Sequence, residues 1–167
     1  MDRIYLDHNA TSPVDPRVLD EMAACHHRFL GNPSSIHSFG ADAKKVLEDA
    51  RETVADFLGA SPTEIIFTSG GTESDNLAIL GAVRAARAGK DHIIASSIEH
   101  AAVLQTCERL EEEGLGLTYL PVDEKASLHP DTLRQAVTPR TLLISIMHSN
   151  NEVGTLQPIR DLVDLAA

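Results

Sequence analysis

Four short apolar runs, Glu64 to Thr68, His92 to Ser96, Leu117 to Val122 and Leu142 to Met147, are each bounded by turn or helix signals. Runs of this length that are apolar throughout read as strands buried on both faces. Between them lie helix patterns: Thr72 to Ala88 ending at Gly89, His100 to Glu113 ending at Gly114, and Pro130 to Val137. Strand alternating with helix constrains the chain to an α/β fold, a mainly parallel sheet with helices on both faces and right-handed crossovers.

Two helices precede the sheet. Asp15 caps the first, Pro16 takes its first position, and Val18, Met22, Cys25 and Phe29 carry it to about Leu30 before Gly31. Gly31-Asn32-Pro33-Ser34-Ser35 is a loop. A long helix from Ser38 to Leu58 follows, with Ala43, Val46, Leu47, Ala50, Val54, Phe57 and Leu58 on one stripe and Gly59 beyond its end. From Pro158 a further helix begins.

Composition excludes several function classes. A net charge of −11 with only 14 Lys and Arg supplies no obvious basic patch for nucleic acid or an anionic membrane. The N-terminus, MDRIYLDHNATSP, has no signal-peptide pattern, and no apolar run approaches the ~18 residues of a membrane span. The expected compartment is therefore the cytoplasm, and Asn9-Ala10-Thr11 is discounted as a glycosylation acceptor. Cys25 and Cys107 fall at core spacing on helices and are expected to pack rather than react. Cys25-His26-His27 are sequential neighbours pointing in different directions, so no metal site is expected.

In open α/β sheets, ligands sit beyond the carboxyl ends of the strands. After the first run comes Ser69-Gly70-Gly71-Thr72, which fits an anion cradle at a helix start, or else a plain tight turn with a threonine cap. A nucleotide P-loop fails because no lysine lies between Lys45 and Lys90. A dinucleotide fingerprint fails for want of a third glycine at its offset. The reading left for an anion is a single phosphate monoester. After the second run, His100 stands where an imidazole can stack on a ring or transfer protons, or simply sit at a helix surface. After the fourth comes the polar cluster His148-Ser149-Asn150-Asn151-Glu152-Val153-Gly154, whose asparagines can equally make turns.

Taken in order, Tyr5-Leu6-Asp7-His8-Asn9-Ala10-Thr11, Gly31-Asn32-Pro33-Ser34-Ser35, the stretch Phe67 to Asn76, Glu99-His100 and Asn150-Asn151-Glu152-Val153-Gly154 resemble the cysteine desulfurases of the NifS/IscS type. The resemblance runs over essentially the whole chain. It implies the pyridoxal 5′-phosphate (PLP) fold type I, with residues 1–15 a segment near the active-site mouth and 16–167 the N-terminal part of the cofactor-binding large domain. That family releases sulfur from L-cysteine, leaving alanine and an enzyme persulfide that serves iron–sulfur cluster or thio-cofactor synthesis. The implied partners are L-cysteine, a sulfur-acceptor protein and a second desulfurase chain in a homodimer.

Residue by residue, Gly71 and Thr72 match the positions that hold the PLP phosphate. His100 matches the histidine that stacks on the pyridine ring and assists proton transfer, and Asn151 matches the asparagine at the cofactor ring oxygen. Asn9 and Asn32 lie in family segments to which no role is assigned. The family's pyridinium-pairing aspartate, Schiff-base lysine and loop cysteine belong beyond residue 167, and neither Cys25, Cys107 nor any of Lys44, Lys45, Lys90 and Lys125 matches them. Residues 1–167 are therefore expected to be inactive without a C-terminal half. The fold also implies that the first run is separated from the other three by strands supplied later, so strand edges and apolar helix faces should be exposed. Two other readings stand beside this one: a non-catalytic chain that dimerises or binds a partner, and part of a related PLP lyase or aminotransferase.

Overall fold

A computed structural model describes residues 3–166, which fall into two compact units, Met1–Phe67 and Thr68–Ala167.

The first unit holds two helices. Helix α1, Pro16–Arg28, starts where Asp15 accepts the Arg17 N–H at 2.9 Å with proline at its first position. It ends at Arg28, short of the expected Leu30, because Phe29 turns extended at φ −117°. Gly31 is thus not its terminator. That glycine instead lies where a Cβ would come 2.0 Å from the Phe39 carbonyl oxygen. Helix α2, Ser38–Leu58, has the expected bounds and closes on Gly59 in the left-handed region at φ +66°. The apolar stripes of α1 and α2 line one open groove of about 370 Å³, with Met22, Cys25 and Phe29 facing Val46 and Ala50. Cys25 is half-buried there rather than packed in a core, and Phe57, at the far end of its stripe, is 88% exposed. No residue of α1 is buried and only Gly40 and Ala55 of α2 are, so both stripes stay largely open.

The expected strand from Glu64 to Thr68 does not form. Pro62–Glu64 is a 3₁₀ turn, boxed by the Glu64 carboxylate accepting the Ser61 N–H at 2.7 Å, and 65–68 pair with no strand among the described residues. A strand is defined by its neighbour's hydrogen bonds, and Ile66 is 68% exposed. The Arg51 guanidinium, which donates to the Ile65 carbonyl and lies 5.0 Å from the Phe67 ring, is what holds the segment.

The second unit is a three-stranded parallel sheet in the order β2-β1-β3, with β1 His92–Ser96, β2 Gly116–Leu120 and β3 Thr141–Ser145. Helices α3, Gly71–Arg84, and α4, Ala101–Glu112, cover one face, and α5, Pro130–Ala136, and α6, Ile159–Ala166, the other. The pleat of β1 distributes the core: Ile93 and Ala95 pack with Ile79, Val103, Cys107 and Leu110, while Ile94 packs with Leu120, Leu133 and Leu162. Each such aliphatic side chain removed from water contributes roughly 1.5–3 kcal/mol. Cys107, fully buried, is a packing residue as its spacing requires. β1 is buried from Ile93 to Ser96, whereas β2 and β3 flank it and stay mostly half-buried. Helix α3 starts one residue before the expected Thr72 and ends at Arg84, four before the expected Ala88. Among the described residues, no helix is long and apolar enough to cross a membrane.

Candidate active site

Because β1 and β3 run parallel, their carboxyl ends open at the same edge of the sheet, and the segments that leave them carry most of the polar residues singled out above. The Gly70-Gly71 pair leads into α3. Gly70 is the N-cap in extended backbone, φ 164°, which any residue adopts, and a Cβ built on either glycine meets nothing within 4 Å. Neither chain conformation nor internal packing therefore demands these glycines. The bare backbone faces open space.

Around the pair, the donors divide. Glu73 reaches back one turn and its Oε2 accepts both the Ser69 N–H and the Ser69 hydroxyl at 2.6 Å, which holds its carboxyl below the usual carboxylate range. Thr68 and Ser74 hydroxyls meet at 2.7 Å. The donors that remain are the first-turn N–H groups of α3, which have no intrahelical acceptor, and the exposed Thr72 side chain. Thr72 is the second residue of the helix, not its cap. Helix α3 is tied to α4 through Asn76, which donates to the Thr72 carbonyl at 2.9 Å and accepts from Thr106 at 2.9 Å. Thr72, Asn76, Ala102 and Thr106 line one cleft of about 190 Å³.

His100 stands as the N-cap of α4 rather than in its first turn, and its Nδ1 accepts the Ala102 N–H at 3.1 Å. With Nδ1 accepting, the neutral ring carries its proton on Nε2. The ring itself is exposed. One residue earlier, Glu99 is 8% exposed, and its Oε1 accepts the Ser96 hydroxyl at 2.5 Å and the Met147 N–H at 2.7 Å. Burial pushes its pKa up, the Ser96 and Met147 donors pull it down, and the Asp75 carboxylate adds to the rise.

After β3 the two asparagines divide their tasks. Asn150 is buried: its carbonyl oxygen accepts the N–H groups of Glu152 and Val153 at 2.9 and 3.0 Å, and its amide donates to the Ile98 carbonyl at 3.2 Å. The turn closes with Gly154 at φ +75°, a conformation that favours glycine. Asn151, at the crest of that turn, is exposed and donates to Glu152 at 3.1 Å.

The structure therefore places Gly71 and Thr72 at the start of α3, His100 at the start of α4 and Asn151 beyond β3. It also brings in Glu99, Asn150 and the Asn76–Thr106 pair, to which the sequence reading gave no task. A glutamate three residues past the end of a buried strand was the available signal for Glu99. For the other three, only tertiary pairing reveals the role.

The family model of the class-V aminotransferases matches residues 4–167. The chain belongs to the aminotransferase class-V family. Its relatives in that family are cysteine desulfurases: the cysteine desulfurase IscS of Methanosarcina thermophila is 50% identical over 98% of this chain and 40% of its own length. A solved NifS-like protein superposes with a TM-score of 0.95 at 43% identity, over 98% of this chain and 45% of that one. The structure of SspA in complex with cysteine matches with a TM-score of 0.90 at 43% identity, over 97% of this chain and 47% of that one. The α/β fold of this class-V chain is that of the NifS-like proteins. The chain spans about two fifths of the length of the curated relatives it matches.

Proposed function

We propose that residues 1–167 supply the phosphate-holding and ring-facing part of a PLP-dependent L-cysteine desulfurase, the lysine, aspartate and cysteine of the family belonging to segments outside these residues. The observation that carries the reading is the Gly70-Gly71 backbone, bare where neither φ nor packing calls for glycine, at the positive end of a 14-residue helix. The donor set suits one phosphate monoester. The N–H groups of Gly71 and Thr72 and the Thr72 hydroxyl bind its oxygens. Glu73, kept ionised and turned onto Ser69, limits the site's tolerance for more negative charge.

PLP, when bound, supplies the electron sink for cleaving bonds at the amino-acid carbon. His100, oriented through Nδ1, would face the cofactor ring and handle protons at Nε2. Asn151 would hold the ring's oxygen. Substrate choice for L-cysteine, a homodimeric assembly, a sulfur-acceptor protein, supply of sulfur to iron–sulfur clusters or thio-cofactors and a cytoplasmic location belong to the same reading, supported by the desulfurase relatives and the cysteine-bound SspA structure.

The test is co-expression with a polypeptide carrying the remaining family segments, followed by the visible absorbance of lysine-bound PLP and by sulfide release from cysteine. A soluble, stoichiometric complex that binds no PLP would sink the reading. A non-catalytic, partner-binding chain is the second reading, favoured by the exposure of Phe57 and Ile66 in the first unit. Its mark would be a stable complex with an intact desulfurase and no cofactor held by residues of this chain.

A further inference from the structure

The mechanism above leaves one buried acid without a task. Glu99 sits between the strand that ends at Ser96 and the helix that His100 caps, and a single oxygen, Oε1, takes donors from two directions. The Ser96 hydroxyl reaches it from the end of β1 at 2.5 Å, and the Met147 N–H from the exit of β3 at 2.7 Å. Beside this link, Asn150 donates to the Ile98 carbonyl at 3.2 Å, closing a second connection between the same two segments. Asn150 in turn fixes the N–H groups of Glu152 and Val153, the two residues that follow Asn151 in its turn.

We propose that Glu99 is a positioning residue, holding the segment that carries His100 against the segment that carries Asn151. Its function there is that of a buried hydrogen-bond acceptor, and the two ring-facing side chains owe their relative placement to it. The inference rests on the PLP reading for the roles of His100 and Asn151. Removing the buried acceptor leaves the half-buried Met147 N–H without this partner, and an unmade hydrogen bond costs more than a made one contributes. Two parallel strand ends then lose the side-chain bridge between their exits. Burying a carboxylate is itself unfavourable, so a neutral acceptor of the same shape should serve as well.

The experiment is amide hydrogen exchange, read by NMR on the 167-residue chain with no cofactor present, for wild type, Glu99→Ala and Glu99→Gln. Glu99→Ala is expected to raise exchange at least tenfold at Met147, Glu152, Val153 and Ala102, leaving Ile94 and Cys107 protected as in wild type. Glu99→Gln is expected to stay within about twofold of wild type at every one of these amides. Should the alanine variant not fold, Glu99→Asp, too short to reach both donors, replaces it. Three results would overturn the proposal: a change confined to Met147, a loss of protection that extends to Ile94 and Cys107 in step, or a glutamine variant as open as alanine. Because no cofactor enters the measurement, these outcomes are separate from failure of the PLP reading, which shows in the absorbance of the completed complex.

Discussion

Replacing Gly71 by alanine should make the chain more stable and its phosphate site worse. Gly71 is the first residue of α3, its backbone is helical, and an added Cβ meets nothing within 4 Å. Alanine in a helix is favoured over glycine by roughly 0.5–1 kcal/mol, and no clash opposes the gain. For a chain of this size 1 kcal/mol moves the melting temperature by about 2–4 °C, so a rise of roughly 1–4 °C is expected by circular dichroism. The same methyl occupies the space through which a phosphate oxygen approaches the Gly71 and Thr72 N–H groups. Loss of one charge-assisted hydrogen bond, about 1.5–3 kcal/mol, weakens PLP binding about 10- to 150-fold, measured by visible titration of the chain completed with the remaining family segments. A variant that melts lower than wild type would show that Gly71 serves internal packing after all. One that binds PLP with unchanged affinity would show that the bare backbone is not the cradle.

Three further outcomes follow from the same structure. His100→Ala should cost α4 about 1 kcal/mol of N-cap stabilisation, whereas His100→Asn keeps the cap but loses the ring, so thermal stability survives while the spectrum of bound PLP changes; equal spectra for asparagine and wild type would remove the stacking role. Gly40→Ala should destabilise α2 by about 1–3 kcal/mol, since its Cβ would lie 2.3 Å from the Ser35 carbonyl oxygen and 2.8 Å from that of Asn32, and unchanged exchange at α2 amides would contradict the close approach. Glu99, its pKa raised by burial and by the facing Asp75, stays protonated in the folded chain above 4.5, the value at which the unfolded chain releases its proton. Its contribution is therefore full below that pH and lost as pH rises towards the folded pKa, and Glu99→Gln should flatten this part of the stability profile; parallel melting-temperature curves for the two proteins would refute the burial argument.

How much of this was legible in the sequence varied with how local the cause was. The bounds of α2 depend on a stripe, a start signal and Gly59, all within the segment itself, and they matched residue for residue. Strand β1 matched as well, because a run buried on both faces by its own neighbours in the chain is visible as apolar throughout. The segment after Glu64 has the same composition, yet composition cannot say whether a neighbouring strand is present to receive its hydrogen bonds. The end of α3 was overestimated because Ala85, Ala86 and Ala88 continue a helical composition past the point where Ala85 leaves helical geometry at ψ 1°. At the site, His100 and Asn151 were marked by their places beyond β1 and β3, and the glycine pair by an apolar run that forms no strand here. Glu99 and Asn150 were not assigned, since their partners, Met147 and Ile98, are 48 and 52 residues away in sequence.

Residues 71, 72, 100 and 151 are proposed to form one part of a PLP site whose other residues come from the remaining family segments. The most direct measurement of this is the visible spectrum of the chain purified with a lysine-bearing complement, compared with the same complex carrying Thr72→Ala. The expected result is a band from lysine-bound PLP at one equivalent per complex, weakened by the Thr72 substitution at equal PLP concentration. A stable one-to-one complex with no such band, or a band indifferent to Thr72, would contradict it.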